Sequence, residues 1–355
     1  MLIPELTSCN PRKCERTLLT VCQRSLNRLS GVLVLVTQVL GFSSAYGDDA
    51  SLRADALKLF GVIDPVPEDK LTAPRVQLGQ ALFWDIRLSS DGKTACASCH
   101  MAGEGGADRR RFSLDAKGKN TARNSQTVFN AVLQPTLRWA GDRKSAAHQA
   151  EKSLTGSMGF SSAEAVLPLL NELGYQKSFQ LAFPDEQEPV STVNYAKAIE
   201  AYEHTLLTPA PFDKFLAGGE TALDEQQKRG LRLFIDKGCV SCHDGKLLGG
   251  ETFEKFGVVK DYWTATGSDK QDTGRLDVTK DEADRYVFRV SMLRNIADTK
   301  PYFHDGSVSS LREAIHVMAD VQLGCRLNEN EADAIESFLN ALSGKVPRNY
   351  LQPTP

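Results

Sequence analysis

The sequence predicts a mainly α-helical chain built as two similar modules with long irregular loops. Three observations carry this. The pentapeptide Cys96-Ala97-Ser98-Cys99-His100 recurs as Cys239-Val240-Ser241-Cys242-His243. Each copy follows a related lead-in, Gly79-Gln80-Ala81-Leu82-Phe83 and Gly230-Leu231-Arg232-Leu233-Phe234, which is a weak internal repeat. Between and after these stretches lie helix-start signals followed by apolar residues at helical spacing.

C-x-x-C-H is a haem-attachment sequence. Two thiols three residues apart can form thioethers to the two vinyl groups of one haem, and the adjacent histidine turns a ring nitrogen to the iron. A zinc site needs a second cysteine pair without histidine, or an H-x-x-x-H partner, and the chain has neither. The modules are therefore expected to be two cytochrome c-type haem domains, each holding one covalently bound haem through Cys96, Cys99, His100 and Cys239, Cys242, His243.

Composition fits this picture. The chain has 355 residues, 41% hydrophobic and 25% charged, a soluble balance with room for two cores. Without residues 1–47, which hold five basic and two acidic side chains, the remainder has a net charge of −6. A mildly acidic chain with no basic run is a poor nucleic-acid binder.

Taken in order, residues 1–47 are expected to be an export signal peptide. Arg12, Lys13, Arg16, Arg24 and Arg28 precede the apolar run 31–41, which is too short to span a bilayer comfortably. Ala45-Tyr46-Gly47 offers small residues for cleavage before Asp48. The long basic region leaves an uncleaved anchor, or a start assigned too far upstream, as alternatives. Export to the bacterial periplasm suits covalent haem attachment. The first haem domain is placed at 48–210, with a helix over 75–85 leading into the first motif. Residues 101–123, rich in glycine and charge, form a long loop over the first haem. Ser161-x-x-Glu164 reads as a capping box for a helix to about Gly174, kinked at Pro168. A helix over 191–206 ends at the linker Thr208-Pro209-Ala210-Pro211. The second domain, 211–345, opens with Thr221-x-x-Asp224 as a cap. Residues 244–290 are irregular with one short hairpin. Ser310-x-x-Glu313 caps a helix to about Asp320, and Asn328-x-x-Glu331 caps the last helix, closed by Gly344. The tail 346–355 is expected to be loosely ordered. Cys325 is expected as an accessible or half-buried thiol.

Helical spacing puts Leu311, Ile315 and Met318 on one face and turns His316 away. Met318 is thus the candidate sixth ligand of the second haem, with His304 and Met292 as rivals and a plain core methionine as the alternative. The loop 101–123 contains no histidine; Met101 lies too close to His100 to cross the ring, leaving Lys117. The simplest expectation is an open first iron.

Arg123-Asn124-Ser125-Gln126-Thr127-Val128-Phe129-Asn130, Trp139 with Gln149, Gly249-Gly250, Tyr286-Val287-Phe288-Arg289, Leu293-Arg294-Asn295, Pro301-Tyr302-Phe303-His304 and Gln322-Leu323-Gly324 together resemble the bacterial di-haem cytochrome c peroxidases and their relatives that mature methylamine dehydrogenase. The resemblance covers roughly 52–348. It implies a peroxidatic N-terminal haem and an electron-accepting C-terminal haem ligated by Met318. It implies Trp139 between the haems, Gln149 in the distal pocket, and a Ca2+ site made by Asn124 with the carbonyls of Thr299 and Pro301. A homodimer, hydrogen peroxide as substrate and a small donor protein, a cytochrome c or cupredoxin, also follow from it.

Two departures stand out. Where many members carry a histidine that closes the resting iron, this chain has Ala116. The family's catalytic glutamate falls on Ser157 or Gly159, depending on alignment. Glu151 and His148 are the nearby substitutes, although neighbours of Gln149 on a helix do not share its face. The expected function is periplasmic peroxide reduction. The alternatives are oxidation of a protein or small molecule through a high-valent state, and a non-catalytic electron carrier or redox sensor.

Overall fold

The computed structural model describes residues 45–352. The expected export segment lies outside them except for residues 45–47, which open the helix Ala45–Leu59. No helix among the described residues is long and apolar enough to cross a membrane.

Each module is organised by a crossed helix pair. Pro74–Trp84 begins on a proline, whose fixed φ suits a first helical position, and crosses Thr192–Glu203, capped by Ser191. Glu225–Asp236 crosses Glu329–Asn340 in the same way. Both crossings require glycine. A Cβ on Gly79 would overlap the Ala198 carbonyl and lie 2.8 Å from Tyr202 Cβ; on Gly230 it would overlap the Ala334 carbonyl and lie 2.8 Å from Phe338 Cβ. Four residues on, Phe83 and Phe234 each stand 6.3 Å from the ring of His100 and His243 respectively. The lead-in repeat therefore encodes a helix crossing and the wall beside each motif histidine.

The duplication extends further than the sequence suggests. A constant spacing of 165 residues separates left-handed Asn130 from Asn295, the bridged Leu137 from Tyr302, and the helix cap Ser145 from Ser310. Thr208 sits between the halves. Its Oγ1 accepts from Nδ2 of Asn130 at 2.7 Å and of Asn295 at 2.8 Å. The expected linker is buried at Thr208, which satisfies amides from both modules.

The chain ends cross over. Leu52, Ala56 and Phe60 join the core that holds Phe212 and Phe338, while Tyr350 joins the core that holds Phe83 and Tyr202. The expectation of a loose tail is overturned at Tyr350, which is 0% exposed. Its ring packs edge-on against Phe83, Trp84 and Phe129, and its hydroxyl donates to the His100 carbonyl. Gln80 Nε2 ties the tail down at the carbonyls of Asn349 (2.7 Å) and Leu351 (3.1 Å).

Several local expectations hold. Ser310 accepts from the Glu313 N–H and caps Leu311–Leu323; Asn328 and Glu331 form the capping box of Glu329–Asn340. Others shift. Residues 163–166 form a 3-10 turn, and the α-helix begins at Leu167 with Pro168 in its first turn, so Pro168 opens that helix instead of kinking it. Asp224, paired with Gln227, caps the second lead-in helix in place of Thr221. The last helix ends at Asn340; Gly344 lies beyond it and donates to Asn295 Oδ1 at 3.0 Å. The expected hairpin is an antiparallel pair, Phe253–Lys255 with Val287–Arg289, closing a long excursion that carries Tyr262–Thr266 and Leu276–Thr279. Cys325 is buried, because left-handed Gly324 turns the chain inward and the Cys325 N–H reaches the Ala319 carbonyl at 3.0 Å.

Candidate functional site

Each motif forms a 3-10 turn, Cys96–Ser98 and Cys239–Ser241, that leads into its histidine two residues on. His100 Nδ1 donates to the Gly106 carbonyl at 3.0 Å and His243 Nδ1 to the Leu248 carbonyl at 3.0 Å. This backbone bond fixes the tautomer and leaves Nε2 as the ligating atom. Burial lowers the pKa of both imidazoles, which keeps them neutral as an iron ligand must be. Burial also pushes the Cys96 thiol up to about 12. Among the described residues no group of three or more His, Cys, Asp or Glu is placed to hold a metal ion.

The second module opens a large, mainly apolar cavity. Cys239, Cys242, His243 and Met318 line it together. Met318 lies on the helix Leu311–Leu323 with Leu311 and Ile315, while His316 faces Glu329 at 3.6 Å on the other side. Met292 lines the same cavity, although it packs with Ile63 and Leu247. His304 is 2% exposed and stacks on Phe288 at 4.3 Å, and its buried Nε2 has no hydrogen-bond partner.

The modules meet at Trp139. Its Nε1 donates to the Asn124 carbonyl at 2.9 Å, and its ring lies 6.3 Å from His304. The Asn124 N–H donates to the His304 carbonyl at 2.7 Å, and the Arg289 N–H to the Trp139 carbonyl at 2.8 Å. Asn124, Thr299 and Pro301 line the cavity here; Asn124 Nδ2 is bound by the carbonyls of Arg110 (3.0 Å) and Arg111 (3.4 Å). Arg289, to which the sequence reading gave no role, is buried in the same wall.

Over the first module, the loop 101–123 is pinned by the bridges Met101–Ala107 and Leu114–Asn120. The Ala116 N–H donates to the Ser157 carbonyl at 2.8 Å, so the loop closes on the segment where the family glutamate was expected. Lys117 and Met101 are exposed. Gln149 lies on the helix Ala146–Thr155 and its buried Oε1 has no hydrogen-bond partner. His148 Nδ1 is engaged, accepting from the Lys144 N–H at 3.2 Å. Glu151 is half-buried, two residues from Gln149. Two contributors escaped the sequence reading. Tyr350 lies in a tail without periodicity. Glu203 is pushed up to about 8 by burial and then by Glu200, and nothing in its sequence context marks it.

Two covalent attachment turns, each with a tautomer-fixed, half-buried histidine and arranged about a pseudo-twofold, define a di-haem c-type protein. Comparison with known proteins gives the family. Residues 73–221 match the model described as di-haem cytochrome c peroxidase. The chain is 40% identical over 331 residues to the cytochrome c551 peroxidase of Pseudomonas aeruginosa, covering 90% of this chain and 94% of that protein. It is 31% identical over 300 residues to the methylamine utilization protein MauG of Methylophilus methylotrophus, covering 79% and 86%. A solved structure of a MauG-like protein associated with microbial copper homeostasis superposes with a TM-score of 0.71 at 27% identity, covering 82% of this chain and 97% of that one. The chain belongs to the di-haem cytochrome c peroxidase family.

Proposed function

We propose that the protein is an exported, periplasmic peroxidase that reduces hydrogen peroxide to water with electrons from a small redox protein, a cytochrome c or a cupredoxin. The observation that carries this is the asymmetry between two otherwise duplicated modules. The second lines one cavity with both Met318 and its motif histidine; the loop over the first offers no histidine. A thioether suits a haem that accepts electrons, and an open iron suits one that receives peroxide. The bound haems supply the redox chemistry.

The chain's own residues bind, orient and exclude. His100 and His243, with Nδ1 engaged by backbone carbonyls, would hold the irons through Nε2. Gln149, whose buried carboxamide oxygen has no hydrogen-bond partner within the chain, would orient peroxide by accepting a hydrogen bond. Trp139 bridges the modules and carries electrons between them. Asn124, with the carbonyls of Thr299 and Pro301, would take one Ca2+ at the junction, an all-oxygen set that suits this ion. The proton transfer normally given to a glutamate, worth about 10²–10⁴-fold, is left without an evident carboxylate, and turnover is correspondingly slow. Two copies associate as a homodimer. The second reading, oxidation of another substrate, is favoured by Ala116 at the position of the closing histidine and opposed by Met318.

Peroxide-dependent oxidation of a reduced small cytochrome tests the proposal. Catalytic oxidation is expected; a protein with two covalent haems that shows none is the carrier or sensor instead. Acid-acetone extraction checks the cofactor separately: both haems stay with the wild type and one with Cys239→Ala/Cys242→Ala.

A further inference from the structure

Arg289 is a charge without a counter-charge. It is 1% exposed, on the strand Val287–Arg289. Nε donates to the Arg138 carbonyl at 3.0 Å, Nη2 to Gln126 Oε1 at 3.0 Å, and Nη1 to Gln134 Oε1. All three acceptors are neutral. A guanidinium has five N–H donors in a planar fork, so two remain for another group. Burial alone lowers its pKa to about 10, with no carboxylate acting on it. A buried cation left in this state is unfavourable unless an anion joins it.

Other cations lining the cavity are neutralised within the chain. Arg294 pairs with Asp213 at 2.7 Å and Lys237 with Glu331 at 2.8 Å. Arg289 differs from them, and its place is informative. It stands 165 residues from Asn124, in the register that relates Ser310 to Ser145, and each donates its N–H across the pseudo-twofold. Arg289 is therefore held by the same duplicated scaffold as Asn124, facing the cavity that His243, Cys239 and Cys242 line.

We propose that Arg289 is the counter-ion for a propionate carboxylate of the second haem. A haem c is apolar except for its two propionates, and this cavity is mainly apolar with Arg289 in its lining. The guanidinium fork matches a carboxylate in two parallel hydrogen bonds, as an ammonium does not. The match also tunes the cofactor. A neutralised propionate leaves less negative charge at the iron and favours the reduced form, which an electron-accepting haem needs. The inference rests on the second haem being bound, and the acid-acetone haem count tests that independently.

Potentiometric titration of the holoprotein, read at each haem's own absorbance, tests it. In Arg289→Gln the reduced-to-oxidised ratio of the second haem at a fixed ambient potential should fall about tenfold, equivalent to ~59 mV for a one-electron couple. The first haem should move by less than half as much. The midpoint of the Gln variant should become pH-dependent between pH 6 and 8 as the released propionate titrates, and Arg289→Lys should restore part of the loss. An unchanged, pH-independent midpoint in Arg289→Gln overturns the assignment, as does an equal shift of both haems. Redox-difference infrared spectra of the wild type decide the matter if the variant loses its second haem. Only ionised propionate bands are expected at pH 7, and a protonated-acid band from the second haem refutes the pairing.

Discussion

Tyr350 reaches the first haem module from the far end of the chain, and its loss should be felt there. The ring is fully buried among Phe83, Trp84 and Phe129, with centroids at 5.9, 5.4 and 4.8 Å. Truncating a buried large aromatic to alanine costs about 3–5 kcal/mol. Tyr350→Phe keeps the ring and removes only the hydroxyl that donates to the His100 carbonyl, a loss of about 1 kcal/mol. Leu351→Ala is the control, since that side chain is 62% exposed and should change stability by less than about 0.5 kcal/mol. Guanidinium unfolding followed by Soret circular dichroism gives the three values in one experiment. The Ala variant should lose the first haem's signal earliest, with the second haem's transition nearly unmoved. If Tyr350→Ala costs no more than Leu351→Ala, the tail does not buttress the first haem, and the crossing of chain ends is not energetically meaningful.

Met318→His should lower the potential of the second haem by replacing a soft thioether with imidazole, leaving the first haem's spectrum nearly unchanged. Persistence of the near-infrared thioether-to-iron band in that variant would transfer the role to Met292. Glu203 gives a pH dependence whose sign follows from its pKa. The folded value of about 8 lies above the ordinary 4.5, so the folded state holds the proton more tightly. That contribution is fully present below pH 4.5 and is lost as pH rises through about 8. Glu203→Gln should therefore gain stability relative to the wild type between pH 5 and 8.5, read as urea midpoints; a constant difference across that range contradicts the assignment.

What was legible in the sequence was local. The motif turns, the caps at Ser310 and Asn328, and the face carrying Met318 depend on residues within one or two helical turns. The lead-in glycines were visible as a repeat, but their reason, a helix crossing with Ala198 or Ala334, lies more than a hundred residues away. The 165-residue register was hidden because only scattered positions, such as Asn130 with Asn295 and Ser145 with Ser310, keep their identity, while others keep backbone conformation alone: Trp139 answers to His304, and Asn124 to Arg289. The burial of Thr208 and of Tyr350 was hidden for a related reason. A Pro-bearing stretch reads as linker or tail until the amides or aromatic rings that bury it are known. Thr221 lost the cap to Asp224 because the reciprocal bond from Gln227 completes a box only there.

The central claim is that the first iron is open before any reduction, with Ala116 at the position where many members of the family carry a closing histidine. Electron paramagnetic resonance of the fully oxidised protein, with and without cyanide, tests it most directly. The account predicts one high-spin or weakly water-bound ferric signal beside one low-spin signal, and conversion of the first to low-spin by cyanide without added reductant. Two low-spin signals, with no cyanide binding until the second haem is reduced, would contradict it.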